Sequence, residues 1–342
     1  MCQTMQANFF LSLDEPDGLM KLSESSVWRR NFGSQNSDPL TCHLPASTLL
    51  LCLPGEESQA DYGTRFISSS TSSSTSTCTN NREVLKTVKG YKPPTEGQLL
   101  RILLHGAVGA GKSSLVNSVQ SVMRGRIYRQ ALADNTSGDS FTKEYKTYRI
   151  KKDDGSYYPF VCNDIMGLSK HGGVLVEDIK LALKGHVKDG YKFNPVSQLS
   201  EGDRHYNESP TSNDRVHVLV CVIPADTLSL MDDKVVEKFR SIRAEASNLK
   251  IPQLAFLTKI DLAFPEVKDV KNAYRSRNVK AKMQKFSEDV GIPMNCIFPV
   301  RNYSEETEMN DDIDSLILNA MKHILQCGHD FLDFTQNEPD SS

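Results

Sequence analysis

The run Leu99-Leu-Arg-Ile-Leu-Leu-His105 passes without a break into Gly106-Ala-Val-Gly-Ala-Gly111-Lys112-Ser113, then into Ser114-Leu-Val-Asn-Ser-Val-Gln-Ser-Val-Met123. An apolar run of strand length, a GxxxxGK[ST] loop and an amphipathic stretch of helical length stand in one order, and few folds accommodate it. The glycines let successive backbone N–H groups point inward with no Cβ in the way. The start of the helix adds oriented donors and a partial positive charge. Such a loop cradles a phosphate chain. Gly106, Gly109, Ala110, Gly111, Lys112, Ser113 and Ser114 are the expected phosphate contacts, with Lys112 reaching the β- and γ-phosphates and the Ser113 hydroxyl ligating magnesium. A chance match in a glycine-rich turn would lack the flanking strand and helix.

From Gln98 onward, strand-length apolar runs alternate with helical stretches, the pattern of a mostly parallel sheet wrapped by helices. Strands are expected at 99–105, 143–150, 158–163, 216–223, 253–258 and 294–299, and helices at 112–123, 174–186, 232–248, 275–290 and 311–327. Asp153-Asp154-Gly155 favours a tight hairpin turn. The stretch 188–214, rich in Gly, Asn, Ser and Pro, reads as a long loop or insertion. The expected fold is a three-layer α/β P-loop NTPase, G-domain-like, over residues 86–334, with a disordered tail at 335–342.

Residues 1–85 differ. They show no sustained periodicity and carry the tract Ser68–Thr79, which has too little apolar surface to offset the entropy of ordering its backbone. A hydrophobic share of 38% over 342 residues agrees with part of the chain standing outside any core. The expectation is a disordered arm, with a modest helix from Arg82 to Lys89.

Two further motifs stand at strand ends. Asn163 leads into Asp164-Ile-Met-Gly167, a DxxG in which Asp164 would hold magnesium and the Gly167 N–H would face the γ-phosphate. Gln253–Leu257 leads into Thr258-Lys259-Ile260-Asp261, an [NT]KxD pattern. A carboxylate at Asp261 pairs with the N1–H and exocyclic amine of guanine, which adenine does not offer, and the Lys259 stem packs along the ring. Thr258 replaces the commoner asparagine, so a bracing contact is expected to be lost. GTP or GDP with Mg2+ is therefore the expected ligand, and an ATP-dependent enzyme the competing reading. Thr142, or else Thr136, would complete the magnesium shell from the 133–142 loop. After the last strand, Asn302 or Arg301 either lies near the base or forms a strand-end turn.

Many GTPases place a glutamine after DxxG to orient the attacking water. Here that position is Leu168, which cannot hydrogen-bond. Ser169, Lys170 and His171 follow, and His171 is the local catalytic candidate, set against an exposed polar residue of no special role. Hydrolysis is expected to be slow, or to await a protein partner or nucleotide-dependent self-association.

The chain resembles the interferon-induced protein 44 family of GTPase-like proteins through Leu103–Val119, Phe141–Tyr148, Asn163–Gly167 and Phe298–Tyr303, over roughly residues 82–334. The resemblance implies a cytoplasmic, interferon-inducible protein of innate antiviral defence. Two accounts follow: a slow GTPase acting as a switch, or a non-enzymatic interaction module with a vestigial nucleotide site.

Partner classes are narrowed by what the chain carries. A net charge of −3 gives no argument for nucleic acid or an anionic membrane. The basic stretch 273–285, with Tyr274 its one aromatic residue, reads as a solvated helix face. Eight scattered cysteines match no zinc pattern, and Cys162, Cys221 and Cys296 fall in strand-like runs, as reduced buried thiols would. No signal peptide, membrane anchor or lipidation box is evident, so a soluble cytoplasmic protein is expected.

Overall fold

The computed structural model describes residues 74–131, 142–267 and 269–337. Six strands, β1 (Leu100–Gly106), β2 (Lys146–Lys151), β3 (Tyr157–Asp164), β4 (Val218–Pro224), β5 (Gln253–Thr258) and β6 (Ile297–Pro299), form one sheet in the order β2-β3-β1-β4-β5-β6. Every pairing is parallel except β2 with β3. The central strand β4, Val-Leu-Val-Cys-Val-Ile-Pro, is buried at every residue, as a parallel strand covered on both faces must be. At the edge, β2 buries Tyr148 and Ile150 and exposes Lys146, Arg149 and Lys151. The Asp-Gly hairpin forms as expected, closed by Lys152 N–H to the Ser156 carbonyl at 2.7 Å.

The helices are α1 (Ser74–Lys89), α2 (Lys112–Arg124), α3 (Val176–Lys184), α4 (Asp233–Asn248), α5 (Ile260–Ala263), α6 (Arg277–Val290) and α7 (Asp311–Asn337). Side-chain alternation on β1 places them in layers. Leu100 meets α7 at Gly328, while His105, on the other face, packs its ring 5.5 Å from Phe239 of α4. With α1 and α2 packed on α7, and α3 and α6 on α4, the molecule has the three-layer P-loop NTPase fold with a mostly parallel sheet.

Several boundaries differ from expectation. α1 starts at Ser74 rather than Arg82, inside the stretch read as an arm, and docks on α7, where Asn81 donates to the Asp311 carbonyl. Residues 1–73, Thr136 and the tail from 338 lie outside the described residues. α7 runs past Cys327 to Asn337. Gly328 does not end the helix. It lets α7 lie close on the sheet, since a Cβ there would stand 2.4 Å from Leu100 Cδ1. The last strand is shorter than expected, because Met294–Cys296 form a 3-10 turn closed by Cys296 N–H to the Pro293 carbonyl. Cys296 is thereby half-buried off the strand, whereas Cys162 and Cys221 are buried thiols.

The insertion after α3 buries Tyr191, Phe193, Leu199 and Tyr206 as part of the hydrophobic core of the domain. Buried Asp178 of α3 pins it, accepting from Leu199 N–H at 2.8 Å and Tyr191 O–H at 3.3 Å. The basic face of α6 exposes Lys280 and Lys285 and buries Val279, Met283, Phe286 and Val290; Tyr274 packs inward and its hydroxyl accepts from Asn319. Among the described residues, no helix is long and apolar enough to cross a membrane.

Candidate functional site

The carboxyl ends of β1, β3, β4 and β5 gather the three motifs at one edge of the sheet, the place where open α/β sheets bind ligands. The phosphate loop leaves β1 at Gly106, against β4. A Cβ at Gly106 would sit 2.0 Å from the Val222 carbonyl oxygen, so no other residue fits. Gly111 then starts α2, whose first-turn amides, Lys112 to Ser114, have no intrahelical acceptor. The Ala110 amide closes a turn on the Ala107 carbonyl at 3.2 Å.

Lys112 is almost fully buried, and its ammonium donates to the Gly106 and Ala107 carbonyls at 3.3 and 3.1 Å. Burial pulls that ammonium below its ordinary pKa, partly offset by Asp164, and burial pushes the Asp164 carboxyl above its own, partly offset by Lys112. His105 beneath them is held neutral, its pKa lowered to about 3 by burial and then by Lys112.

The three residues expected at a metal come together. Ser113 O–H donates to Asp164 Oδ2 at 2.5 Å, and Thr142 Oγ1 lies 3.0 Å from Ser113 Oγ and 3.5 Å from Asp164 Oδ2. Asp164 is fully buried, and its other oxygen, Oδ1, has no well-formed hydrogen bond. Two hydroxyls and a carboxylate with an oxygen in reserve are hard oxygen ligands of the kind magnesium takes, so the residues fit that ion.

The DxxG segment is stitched to the phosphate loop. Leu168 N–H donates to the Gly106 carbonyl at 2.9 Å, and Val108 N–H donates to the Leu168 carbonyl at 3.0 Å. Gly167 permits this approach, since a Cβ there would fall 2.6 Å from Val108 Cα. The Leu168 side chain is buried in the core. His171 is exposed on the following loop, its carbonyl accepting from Ser169 O–H.

At the Thr258–Asp261 motif, Lys259 takes a left-handed backbone (φ 55°) ahead of α5, with its ammonium 3.9 Å from Asp226. Thr258 is fully buried and its hydroxyl points at the Ala110 carbonyl (2.7 Å) and the Ile223 carbonyl (3.1 Å). The bracing expected to be lost with asparagine is thus made by the threonine hydroxyl. Asn302 Nδ2 donates to the Gly111 carbonyl at 3.1 Å, and Arg301 Nε lies 3.4 Å from Asp261 Oδ2.

The interferon-induced protein 44 of Homo sapiens is 36% identical to this chain over 257 residues, 74% of this chain and 57% of that protein. The Mus musculus protein of that name is 35% identical over 253 residues, 73% of this chain and 60% of that protein. Interferon-induced protein 44-like of Homo sapiens is 31% identical over 259 residues, 74% and 57% of the two. The chain belongs to the interferon-induced protein 44 family. It spans somewhat over half the length of these relatives. No protein-family model matches it. Among solved structures, Toc33 from Arabidopsis thaliana in complex with GDP and Mg2+ is 16% identical, covering 73% of this chain and 92% of that one at a TM-score of 0.40. Era from Aquifex aeolicus bound to GDP.AlF4− is 14% identical, covering 60% and 51% at a TM-score of 0.33.

In this member of the interferon-induced protein 44 family, sequence reasoning missed three contacts: the Thr258 hydroxyl on the phosphate loop, the Asp226–Lys259 pair, and the Arg301 contact with Asp261. The first had a signal, because a threonine ending a buried strand must send its hydroxyl to a nearby carbonyl. The other two join residues far apart in the chain, and no spacing rule reaches them.

Proposed function

We propose that the chain binds GTP and GDP with magnesium and serves as a slowly turning nucleotide switch in the interferon-induced antiviral response. The observation that carries this reading is the convergence of Ser113, Thr142 and buried Asp164 beside the phosphate loop. Gly106, Gly109, Gly111 and the first-turn amides of Lys112 to Ser114 would take the phosphates, joined by the Lys112 ammonium. Ser113, Thr142 and Asp164 would hold the magnesium, which supplies positive charge against the phosphate oxygens. Lys259 and Asp261 would meet the base, with Thr258 and Asn302 holding the phosphate loop through the Ala110 and Gly111 carbonyls.

A second reading, an interaction module that binds nucleotide without turning it over, is favoured by one specific observation. Leu168 offers no group to orient water and is locked into the core. His171 remains a weak candidate for that task from an exposed loop. Nucleotide analysis of the purified protein, with guanine and adenine nucleotides titrated with and without Mg2+, tests the binding claim. Guanine nucleotides should bind, and Lys112→Ala should lose them. Equal, negligible affinity of both proteins for every nucleotide refutes it. Single-turnover hydrolysis then separates the two readings, and a fast, partner-independent rate would refute both.

A further inference from the structure

Asp261 of α5, and Arg301 and Glu306 of the segment between β6 and α7, form a three-member charge relay that no motif describes. Arg301, just after β6, points its Nε at Asp261 Oδ2 from 3.4 Å, too long and poorly aligned for a formed hydrogen bond. Its Nη2 is committed to Glu306 Oε1 at 2.7 Å. Glu306 is fixed in turn, its Oε2 accepting Ser304 N–H at 2.8 Å, while Arg129 of the segment after α2 donates to the Ser304 and Glu306 carbonyls at 3.0 and 3.1 Å. All three relay side chains are about one-fifth to one-quarter exposed, so solvent screens them only in part.

An arginine and a carboxylate pair best through two parallel hydrogen bonds. Arg301 paired that way with Asp261 would occupy both oxygens that guanine needs for its N1–H and exocyclic amine. As placed, it touches one oxygen weakly, because Glu306 holds the other end of the guanidinium. The guanidinium thereby approaches Asp261 at Oδ2 alone and makes no two-bond pair with it.

Resting on the guanine reading above, we propose that Glu306 is a positioning residue for purine selection: it holds the Arg301 cation off Asp261 and keeps that carboxylate open to guanine. Loss of the Glu306 charge releases Arg301 to pair fully with Asp261. The released guanidinium then competes with guanine, but it can donate to the C2 carbonyl of xanthine. Selectivity shifts without any change in a residue that touches the base.

The test uses the full chain and measures affinity for GDP and for xanthosine diphosphate in wild type, Glu306→Gln, Arg301→Ala and the double variant. Glutamine keeps an acceptor for Ser304 N–H, so the loop retains its anchor. Glu306→Gln should weaken GDP about tenfold, the scale of one charge-assisted hydrogen bond, and leave xanthosine diphosphate unchanged or tighter. Adding Arg301→Ala should return GDP affinity to the level of Arg301→Ala alone. Unchanged GDP affinity in Glu306→Gln overturns the proposal, as does an equal loss for both nucleotides that Arg301→Ala does not reverse, the mark of a merely structural role. If the wild type binds no guanine nucleotide, the guanine reading itself fails and this inference falls with it.

Discussion

Thr258→Val separates a structural hydroxyl from a merely tolerated one. Valine keeps the shape of threonine and removes its one hydroxyl proton, which is shared between the Ala110 and Ile223 carbonyls at 2.7 and 3.1 Å in a fully buried site. The nearer acceptor, Ala110, would lose its partner. An orphaned buried acceptor costs about 1–3 kcal/mol. For a domain of this size each kcal/mol moves Tm by roughly 2–4 °C, so the melt should fall by roughly 2–12 °C. Thr258→Ser is the control: it keeps the hydroxyl and gives up one buried methyl, about 1 kcal/mol. The two variants separate in the second assay, titration with labelled GDP. Valine unties the phosphate loop from β5 and should weaken GDP about tenfold or more, while serine stays near wild type. Melts are compared without nucleotide, because ligand raises Tm by mass action. If serine melts below valine and both bind GDP as the wild type does, the hydroxyl does not anchor the loop and the reasoning fails.

Asp261→Asn should weaken GTP and admit xanthine nucleotides, read by competition binding; unchanged preference would favour an adenine-specific site. Leu168→Gln should not create a fast GTPase. It forces an amide into the core at a cost of about 1–3 kcal/mol, so Tm should drop while single-turnover hydrolysis stays slow, and a large rate gain would refute the buried placement. His217 accepts from Arg101 N–H on Nδ1 at 2.8 Å and contacts the Ser212 carbonyl through Nε2 at 2.9 Å, which fixes it neutral with the proton on Nε2. Burial lowers its pKa to about 4, and that of His105 to about 3, against 6.5 for both when exposed. The unfolded chain therefore takes up protons that the folded one refuses: this stability is complete above pH 6.5 and is lost as pH falls toward 4, at up to about 1.4 kcal/mol per pH unit per histidine. Asp314, raised to about 6 by burial, works in the opposite direction over the same window. Denaturant melts at pH 7 and 5 should show His217→Gln losing less stability on acidification than the wild type.

What could be read from the chain was what local chemistry enforces. A strand running into GAVGAGKS leaves one geometry for the loop, and Val218–Pro224 is apolar enough that only a doubly covered strand suits it. Three kinds of feature were not legible. Gly328 carries the usual mark of a helix end, yet serves as the point where α7 touches Leu100; whether a glycine ends a helix or admits a close neighbour depends on a contact more than two hundred residues away in sequence. α1 begins within the Ser/Thr tract because α7 offers it a surface, and docking of that kind overrides weak local preference. Arg301 reads as an ordinary strand-end residue until β5 and β6 align and bring it beside Asp261.

The stitching of DxxG to the phosphate loop sets the energy scale on which any switch here must work. In this structure Lys112 donates to loop carbonyls, Ser113 donates to Asp164, Val108 N–H donates to the Leu168 carbonyl, and Leu168 N–H donates to the Gly106 carbonyl. A nucleotide would therefore exchange existing contacts for new ones, and its net affinity is the difference. The Val108–Leu168 and Leu168–Gly106 bonds contribute about 1 kcal/mol each, the same order as the 1–3 kcal/mol by which coupled sites usually communicate. A γ-phosphate drawing on the Gly167 amide would thus need to supply only about that much to part the segments, provided the buried Leu168 side chain yields. That side chain is the larger obstacle, since exposing a leucine costs roughly 1.5–3 kcal/mol. Leu168 stands where many GTPases carry the hydrolytic glutamine and also fastens the segment that a switch would have to move, so the proposed slow turnover and a reluctant switch would have one physical cause.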